Sequence, residues 1–462
     1  MTIWQPDLDR SKPLYLAIAD SLGQDIAAGV LPEGTRLPPQ RDLAWKLGVT
    51  LGTVTRAYKE AENRGLLAGE VGRGSYVRRP RGVPGLNAPA SEDDGFIDLS
   101  HAVPPPIVKP AEFDAALQFI MRDPRKLTLL DYAPPEGFPL HRAMAVTWLK
   151  RSGIEAEESQ VVISAGAHLG LITVLEALTE PGDHVAAECV NYALLRTTFR
   201  NARLSPVSMP MDADGLVPDA LEEAAAKHST RLLYIVPTLQ NPTTHTMSRQ
   251  RREAIVAIAR RHDITIIEDD IFRLLDERVQ PPTFFELAPE RTFHITSLSK
   301  TLAPGLRIGF VVSPKGQERL LRAHVRNMAA RTVGLTGEIA RYWIETDCAS
   351  DILARTLQEN AVRRAQAISI LGTERFRCAP GAPFGWLELP EHWSGARFAQ
   401  SLLSHKIRVT PGNAFDLAPS GPSRHVRLTF GAPFSSHRAR QGFEIIADLL
   451  QQHEEDDYTP VA

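Results

Sequence analysis

Cysteine is scarce. The 462 residues hold three, Cys189, Cys348 and Cys378, far apart in sequence. An odd number without close spacing excludes a disulfide-stapled scaffold and a zinc ribbon, and no metal site is expected; it points to a reducing compartment. No run of about eighteen apolar residues occurs, so no membrane-spanning helix is expected. The opening Met1-Thr-Ile-Trp-Gln-Pro-Asp7 has no basic patch ahead of an apolar core, so no secretory leader is expected either. Neither sign of charge dominates: 52 Lys+Arg stand against 55 Asp+Glu, a net charge of −3. Apolar residues make up 43% and charged residues 23%, which excludes a wholly disordered or collagen-like chain. The length fits three average domains, or one small and one large. The expectation is a soluble cytoplasmic protein.

Charge is unevenly spread. Residues 1–81 carry twelve Lys/Arg and nine Asp/Glu, a surplus of three, so the remainder of a chain at net −3 stands at −6. A modestly basic head on an acidic body suits a polyanion partner for the head alone. On charge alone, chance variation explains it as well. Residues 79–95 are rich in Pro, Gly and small polar types and have almost nothing to bury, so they are expected to form an exposed tether. Val103-Pro-Pro-Pro-Ile107 follows the apolar Phe96-Ile-Asp-Leu99 as the opening arm of a second domain. The expected organisation is a head over 1–78, a linker over 79–95 and a body over 96–462.

In the head, Leu14, Ile18, Leu22, Ile26 and Val30 recur at four-residue spacing and predict one amphipathic helix over 13–30. Pro39 to Leu47 can form a second helix. Gly48-Val49-Thr50 reads as a tight turn and Leu51 to Arg64 as a third helix. This is a helix-turn-helix pattern, and Leu66 to Val77 adds two short strands around Gly72-Arg73-Gly74, a wing. Thr50 can cap the third helix, whose early Thr53, Thr55 and Arg56 would face a groove. Arg41 and Arg73 would hold phosphates. A three-helix head can also be a plain packing module. The segments Pro13-Leu-Tyr15, Gly34-Thr-Arg-Leu-Pro-Pro-Gln-Arg-Asp-Leu-Ala44, Gly48-Val-Thr-Leu-Gly-Thr-Val-Thr-Arg-Ala-Tyr58 and Gly72-Arg-Gly-Ser-Tyr-Val77 closely resemble the GntR family winged helix-turn-helix over residues 12–78. That resemblance implies double-stranded operator DNA as partner, with Arg41, Thr53, Arg56 and Arg73 at or near it.

The body alternates strand-like and helical segments, which predicts a mostly parallel α/β sheet. Strands are expected at Val161–Ser164, Val185–Ala187, Leu232–Val236, Ile264–Ile267, Phe293–Thr296 and Arg307–Val312, and a helix capped by Ser248 over 248–261. One constellation carries chemistry: Ser297-Leu-Ser-Lys300, Ala303-Pro-Gly-Leu-Arg307, Asn241-Pro242 and Glu268-Asp269-Asp270. A cofactor with a phosphate, a carbonyl and a basic ring nitrogen would use each part. Ser164-Ala-Gly166-Ala-His168, leading into a helix, offers backbone N–H groups to the phosphate, with the hydroxyls of Ser297 and Ser299 and the fork of Arg307. Lys300 supplies the amine for a Schiff base, and Arg307 nearby would depress its pKa from the usual value of about 10.4. Asp269 can keep the ring nitrogen protonated, Asn241 can hold a ring hydroxyl and Tyr192 can stack on the ring. Taken singly, these motifs are what a surface turn or an acidic rim also shows.

Together, and in this order, they resemble the fold-type I, aspartate aminotransferase-like family of pyridoxal-phosphate enzymes over residues 96–450. The resemblance implies a mostly parallel sheet flanked by helices with a smaller C-terminal subdomain, and pyridoxal 5'-phosphate as cofactor. It also implies Lys300 as the Schiff-base lysine, Asp269 as the pyridinium partner, and Ala167, His168, Ser297, Ser299 and Arg307 as the phosphate cup. Tyr132 matches a tyrosine that reaches the neighbouring subunit's phosphate. Arg427 matches the arginine that takes a substrate carboxylate. Two positions depart from the pattern. Phe272 stands where the family usually has a tyrosine, removing a donor to the ring oxygen worth ~1–2 kcal/mol in a dry site. Asn241-Pro-Thr-Thr244 lacks a common glycine.

A GntR-type head on such a body is the MocR arrangement. It implies a transcription regulator, a head-to-tail homodimer, and an amine or amino-acid effector sensed through aldimine exchange at Lys300. Two other readings stand beside it: a working aminotransferase whose head regulates its own gene, and a DNA-binding protein with an empty body.

Overall fold

The structure is a computed structural model that describes Trp4, Leu8 and residues 12–27, 30–31, 35–63, 66–70, 74–77, 95–327, 334–418 and 422–451. It divides into two units, Met1–Ala88 and Pro89–Ala462. Of the tether expected over 79–95, all but Gly95 lies outside the described residues, as does Arg73.

Among its described residues the head unit holds three helices, α1 (Leu14–Ala27), α2 (Gln40–Leu47) and α3 (Leu51–Asn63). Ile18, Leu22 and Ile26 of α1 pack with Leu43 and Ala44 of α2 and Val54, Ala57, Tyr58 and Ala61 of α3. The four-residue stripe is thus buried in its centre and not at its ends, since Leu14 is 37% and Val30 63% exposed. The helix expected over 13–30 stops at Ala27 among the described residues; Gly29 and Pro32 follow in sequence, both helix terminators. The antiparallel pair Leu67–Glu70 and Gly74–Val77 follows α3. Leu37 and Val77 donate their N–H groups to Ser75 O and Thr35 O, so residues 35–37 add an edge to it.

The body is built on a seven-stranded sheet. Its spatial order is Val161–Ser164, Gly309–Val312, Thr292–Ser297, Thr265–Asp269, Leu232–Ile235, His184–Glu188, Ser205–Met209. All neighbours run parallel except Gly309–Val312, which is antiparallel to both of its own. Alternating residues feed two cores. Val161, Ile163, Phe310 and Val312 pack with Trp148 and Trp343 on one face. Val162, Val311, Ile295 and Phe293 pack with Leu171 and Val174 on the other. Truncating either buried indole would cost about 3–5 kcal/mol. A second, four-stranded antiparallel sheet is ordered Phe376–Arg377, Phe384–Glu388, His425–Thr429, Thr410–Pro411. The opening arm joins this smaller lobe: Ile97–Asp98 pairs in parallel with Ile407–Arg408. Among the described residues no helix is long and apolar enough to cross a membrane.

Candidate functional site

The antiparallel strand explains how the site assembles. In register, Ser297 faces Gly309 and Gly309 faces Ser164. Because Gly309–Val312 runs opposite to its neighbours, the residues before it lie at the same edge as the residues after theirs. Arg307 therefore meets Ser164–His168 and Ser297–Lys300 at the carboxyl ends of the parallel strands, where open α/β sheets bind ligands. The meeting is close. An added Cβ on Gly309 would lie 2.8 Å from Ala167 N, and one on Gly166 (φ +96) 2.8 Å from Arg307 Nη2.

These edges enclose a cavity of about 140 Å³ lined by Ala167, His168, Tyr192, Asn241, Asp269, Ser297, Ser299, Lys300 and Arg307, with Tyr234 and Phe272 beside them. These nine are residues singled out from sequence; Leu171, Val236 and Ile271, which also line it, are not. Gly166 caps the Ala167–Leu178 helix, whose N-terminus faces the cavity and favours an anion. Burial and the nearby Arg307 pull the His168 imidazole pKa down, and its Nδ1 is buried without a partner. The rings of His168 and Tyr192 meet edge to face at 5.8 Å. Across the cavity, the Asp269 Oδ2 accepts the Tyr234 hydroxyl at 2.7 Å, while Oδ1 is buried with no hydrogen-bond partner among the described residues. Burial raises the Asp269 pKa to about 6, and Asp270 adds to this. Burial pulls Lys300 down to about 8, with the cations of Arg427 and Arg307 acting in the same direction.

Arg427 lies on the His425–Thr429 strand, buried, its guanidinium 4.8 Å from the Phe415 ring centre. Its Nη1 donates to Asn241 Oδ1 at 2.9 Å and its Nη2 to Ser100 O at 2.6 Å. Holding Asn241 by its oxygen leaves the amide NH₂ for the cavity. Lys300 Nζ donates to Ala102 O. Tyr132 is not brought to this cavity; it is 86% exposed, close in sequence to exposed Leu127 and Leu130.

The arrangement fits pyridoxal phosphate. A helix N-terminus, two hydroxyls and a guanidinium suit the phosphate. The lone Asp269 Oδ1 suits a protonated ring nitrogen, and Lys300 an aldehyde. Phe272 is buried against Phe384, with ring centres 5.2 Å apart, so a hydrocarbon edge stands where the resemblance leads one to expect a phenol.

Sequence reasoning missed Tyr234, Ser100 and Ala102. The first had a signal: a tyrosine inside the apolar run Leu232–Val236 must find a partner for its hydroxyl. It also missed a buried group of Glu268, Asp270 and His294. Glu268 accepts the N–H groups of Phe284 and Phe285, and His294 Nδ1 lies 3.0 Å from it. Arg252 and Arg273 sit 3.9 and 3.6 Å from Glu268 and Asp270, so guanidinium charge balances the carboxylates.

In the head, Thr50 Oγ1 accepts the Thr53 N–H at 3.2 Å, capping α3. Arg41, Thr50, Thr55 and Arg56 are exposed and Thr53 is half-buried. The Thr55 hydroxyl donates to Gln40 Oε1, tying α3 to α2, and the Arg56 guanidinium lies 3.9 Å over the Tyr15 ring. Arg73 lies outside the described residues.

A winged helix-turn-helix in one unit and a lysine–aspartate–asparagine–arginine cavity in the other define a DNA-binding head fused to an aminotransferase-like body. Comparison with known proteins agrees. The chain belongs to the aminotransferase class I and II family, whose profile matches residues 101–446, and residues 14–77 match the gntR family of bacterial regulatory proteins. This is the MocR-type arrangement, and pyridoxal phosphate is its cofactor. The chain is 29% identical over 458 residues to the uncharacterized HTH-type transcriptional regulator YdeF of Bacillus subtilis (strain 168), covering 97% of this chain and 96% of that one. It is 27% identical over 351 residues to the pyridoxine biosynthesis transcriptional regulator PdxR of Corynebacterium glutamicum, covering 74% of each. Among solved structures, an archaeal alanine:glyoxylate aminotransferase matches with a TM-score of 0.72 at 25% identity, covering 79% of this chain and 93% of that one.

Proposed function

We propose that this protein is a cytoplasmic transcription regulator that senses an amine or amino acid at Lys300 and reports it to operator DNA through its head. The observation that carries this reading is a cavity suited to the coenzyme around a desolvated lysine in a chain whose residues 14–77 match a DNA-binding family. The coenzyme, when bound, supplies an aldehyde whose bond to Lys300 an incoming primary amine can take over. Lys300, lowered to about 8, keeps roughly a tenth of its amine neutral and nucleophilic near pH 7. Arg427 selects effectors that bear a carboxylate. Its Nη2 holds the Ser100 carbonyl, and its Nε, buried with no hydrogen-bond partner among the described residues, remains for the carboxylate. Ser100 and Ala102 belong to the arm that opens the body in sequence, so Arg427 and Lys300 tie the effector site to that arm.

The working unit is a head-to-tail homodimer in which Tyr132 reaches the neighbouring cavity. Exposed Met121, Leu127, Leu130 and Tyr132 supply an apolar surface for a second copy. Two heads then meet two operator half-sites. Arg41 and Arg73 hold phosphates, and Thr50, Thr53, Thr55 and Arg56 stand at the groove.

A second reading, a working aminotransferase with an autoregulatory head, is favoured by the likeness to alanine:glyoxylate aminotransferase. Phe272 weighs against it. The test is to incubate the holoprotein with amino acids and 2-oxoglutarate, alongside a screen of amines for changes in coenzyme absorbance. The regulator gives spectral change without multiple turnovers of keto acid. Sustained keto-acid production establishes the second reading.

A further inference from the structure

We infer that Tyr234 is the positioning residue for Asp269: its hydroxyl holds Oδ2, so that Oδ1 alone is presented to the coenzyme's ring nitrogen. The inference rests on the reading of Asp269 as the ring-nitrogen partner. Tyr234 and Asp269 sit on adjacent parallel strands, Leu232–Ile235 and Thr265–Asp269, in which Ile267 faces Tyr234. That register carries the phenol to the carboxylate at 2.7 Å, both side chains buried and both lining the cavity. Free rotation of a carboxylate would offer either oxygen. Here one is engaged and the other is buried with no hydrogen-bond partner among the described residues. The phenol donates, so it favours the anionic carboxylate. This opposes the desolvation that pushes Asp269 toward its neutral form, and only the anion can keep a ring nitrogen protonated. Because Phe272 leaves the ring oxygen without its usual phenol, Tyr234 is the tyrosine by which this chain tunes the ring, from the nitrogen end.

The experiment uses full-length protein loaded with pyridoxal phosphate labelled with ¹⁵N in the ring. The nitrogen's chemical shift is followed with pH, and coenzyme affinity is measured by fluorescence titration. Tyr234→Phe and Tyr234→Met remove the donor, and Asp269→Asn removes the charge. Thermal melting of the coenzyme-free variants separates folding from positioning. Loss of the donor raises the Asp269 pKa and so lowers that of the ring nitrogen. The nitrogen of both Tyr234 variants therefore loses its proton at least about one pH unit lower, with about tenfold weaker coenzyme binding. If Asp269→Asn moves the nitrogen signal and neither Tyr234 variant does, the positioning role is overturned and the reading of Asp269 survives. A signal that ignores all three substitutions overturns the reading of Asp269, and the role of Tyr234 with it.

Discussion

The head and the body keep their working side chains in opposite places. Arg41, Thr50, Thr55 and Arg56 stand on the surface of the head, carried by a small core of α1, α2 and α3. In the body, Asp269, Asn241, Ser297 and Ser299 are buried around a cavity of about 140 Å³ at a sheet edge, and Arg427, on the second sheet, is buried against Asn241. The difference follows from the partners. A duplex is met by exposed donors and cations, whose strength salt can screen. A coenzyme must be held where burial makes charges reactive, as with Lys300 at about 8 and Asp269 at about 6. Substitutions in the body should therefore have the larger effects, and those in the head the smaller.

The largest effect belongs to Lys300. Lys300→Ala should abolish the borohydride-trapped adduct with coenzyme, read by mass spectrometry, while leaving the fold intact. A trapped adduct at another lysine would break the comparison at its root. Next is Gly166→Ala. The new Cβ would lie 2.8 Å from Arg307 Nη2 on a backbone at φ +96, so coenzyme affinity should fall by about 100-fold or more. Wild-type affinity would show that the phosphate cup lies elsewhere.

A third effect concerns pH. Below the Lys300 value of about 8 the amine carries a proton. The rate of coenzyme capture by stripped protein should therefore rise about tenfold per unit up to pH 8 and level off above it. Removing the cation in Arg427→Gln lets Lys300 hold its proton more tightly, so the break should move to higher pH. An unmoved break would mean that burial and Arg307 set the value without Arg427. The smallest effects are in the head. Arg41→Ala should weaken binding evenly across duplex sequences, by about tenfold, and flatten the salt slope by about one. Thr53→Ala should instead change which sequence is preferred. A Thr53 variant with uniform loss would sharpen the account by moving Thr53 from the base edges to the backbone or to the α3 cap.

Much of this was legible along the chain, because the signals are local. Four-residue spacing marked α1, and Ser248 was read as a cap; its hydroxyl accepts the Arg251 N–H. The Ser297-x-Ser-Lys300 and Asn241-Pro242 motifs drew attention to the cavity wall. What stayed hidden depends on pairing. An apolar run such as Ile308–Val312 declares a strand but not its direction, yet its reversal is what brings Arg307 to the edge. Sequence pattern does not mark Ser205–Met209 as a strand, since Pro206 argues against one; it is an edge strand, where proline is tolerated. Tyr234 looked like one more core residue until the neighbouring strand placed Asp269 beside it. The carbonyls of Ser100 and Ala102 leave no trace in sequence, since any residue carries one.

The central claim is that chemistry at Lys300 governs the grip of the head on DNA. The direct measurement is fluorescence anisotropy of coenzyme-loaded, full-length protein on a duplex selected by the protein from a random pool, with and without an amine that alters its absorbance. The account predicts an amine-dependent shift in DNA affinity that Lys300→Ala abolishes while its unliganded DNA binding persists. A Lys300→Ala protein that answers the amine as the unsubstituted protein does would contradict it.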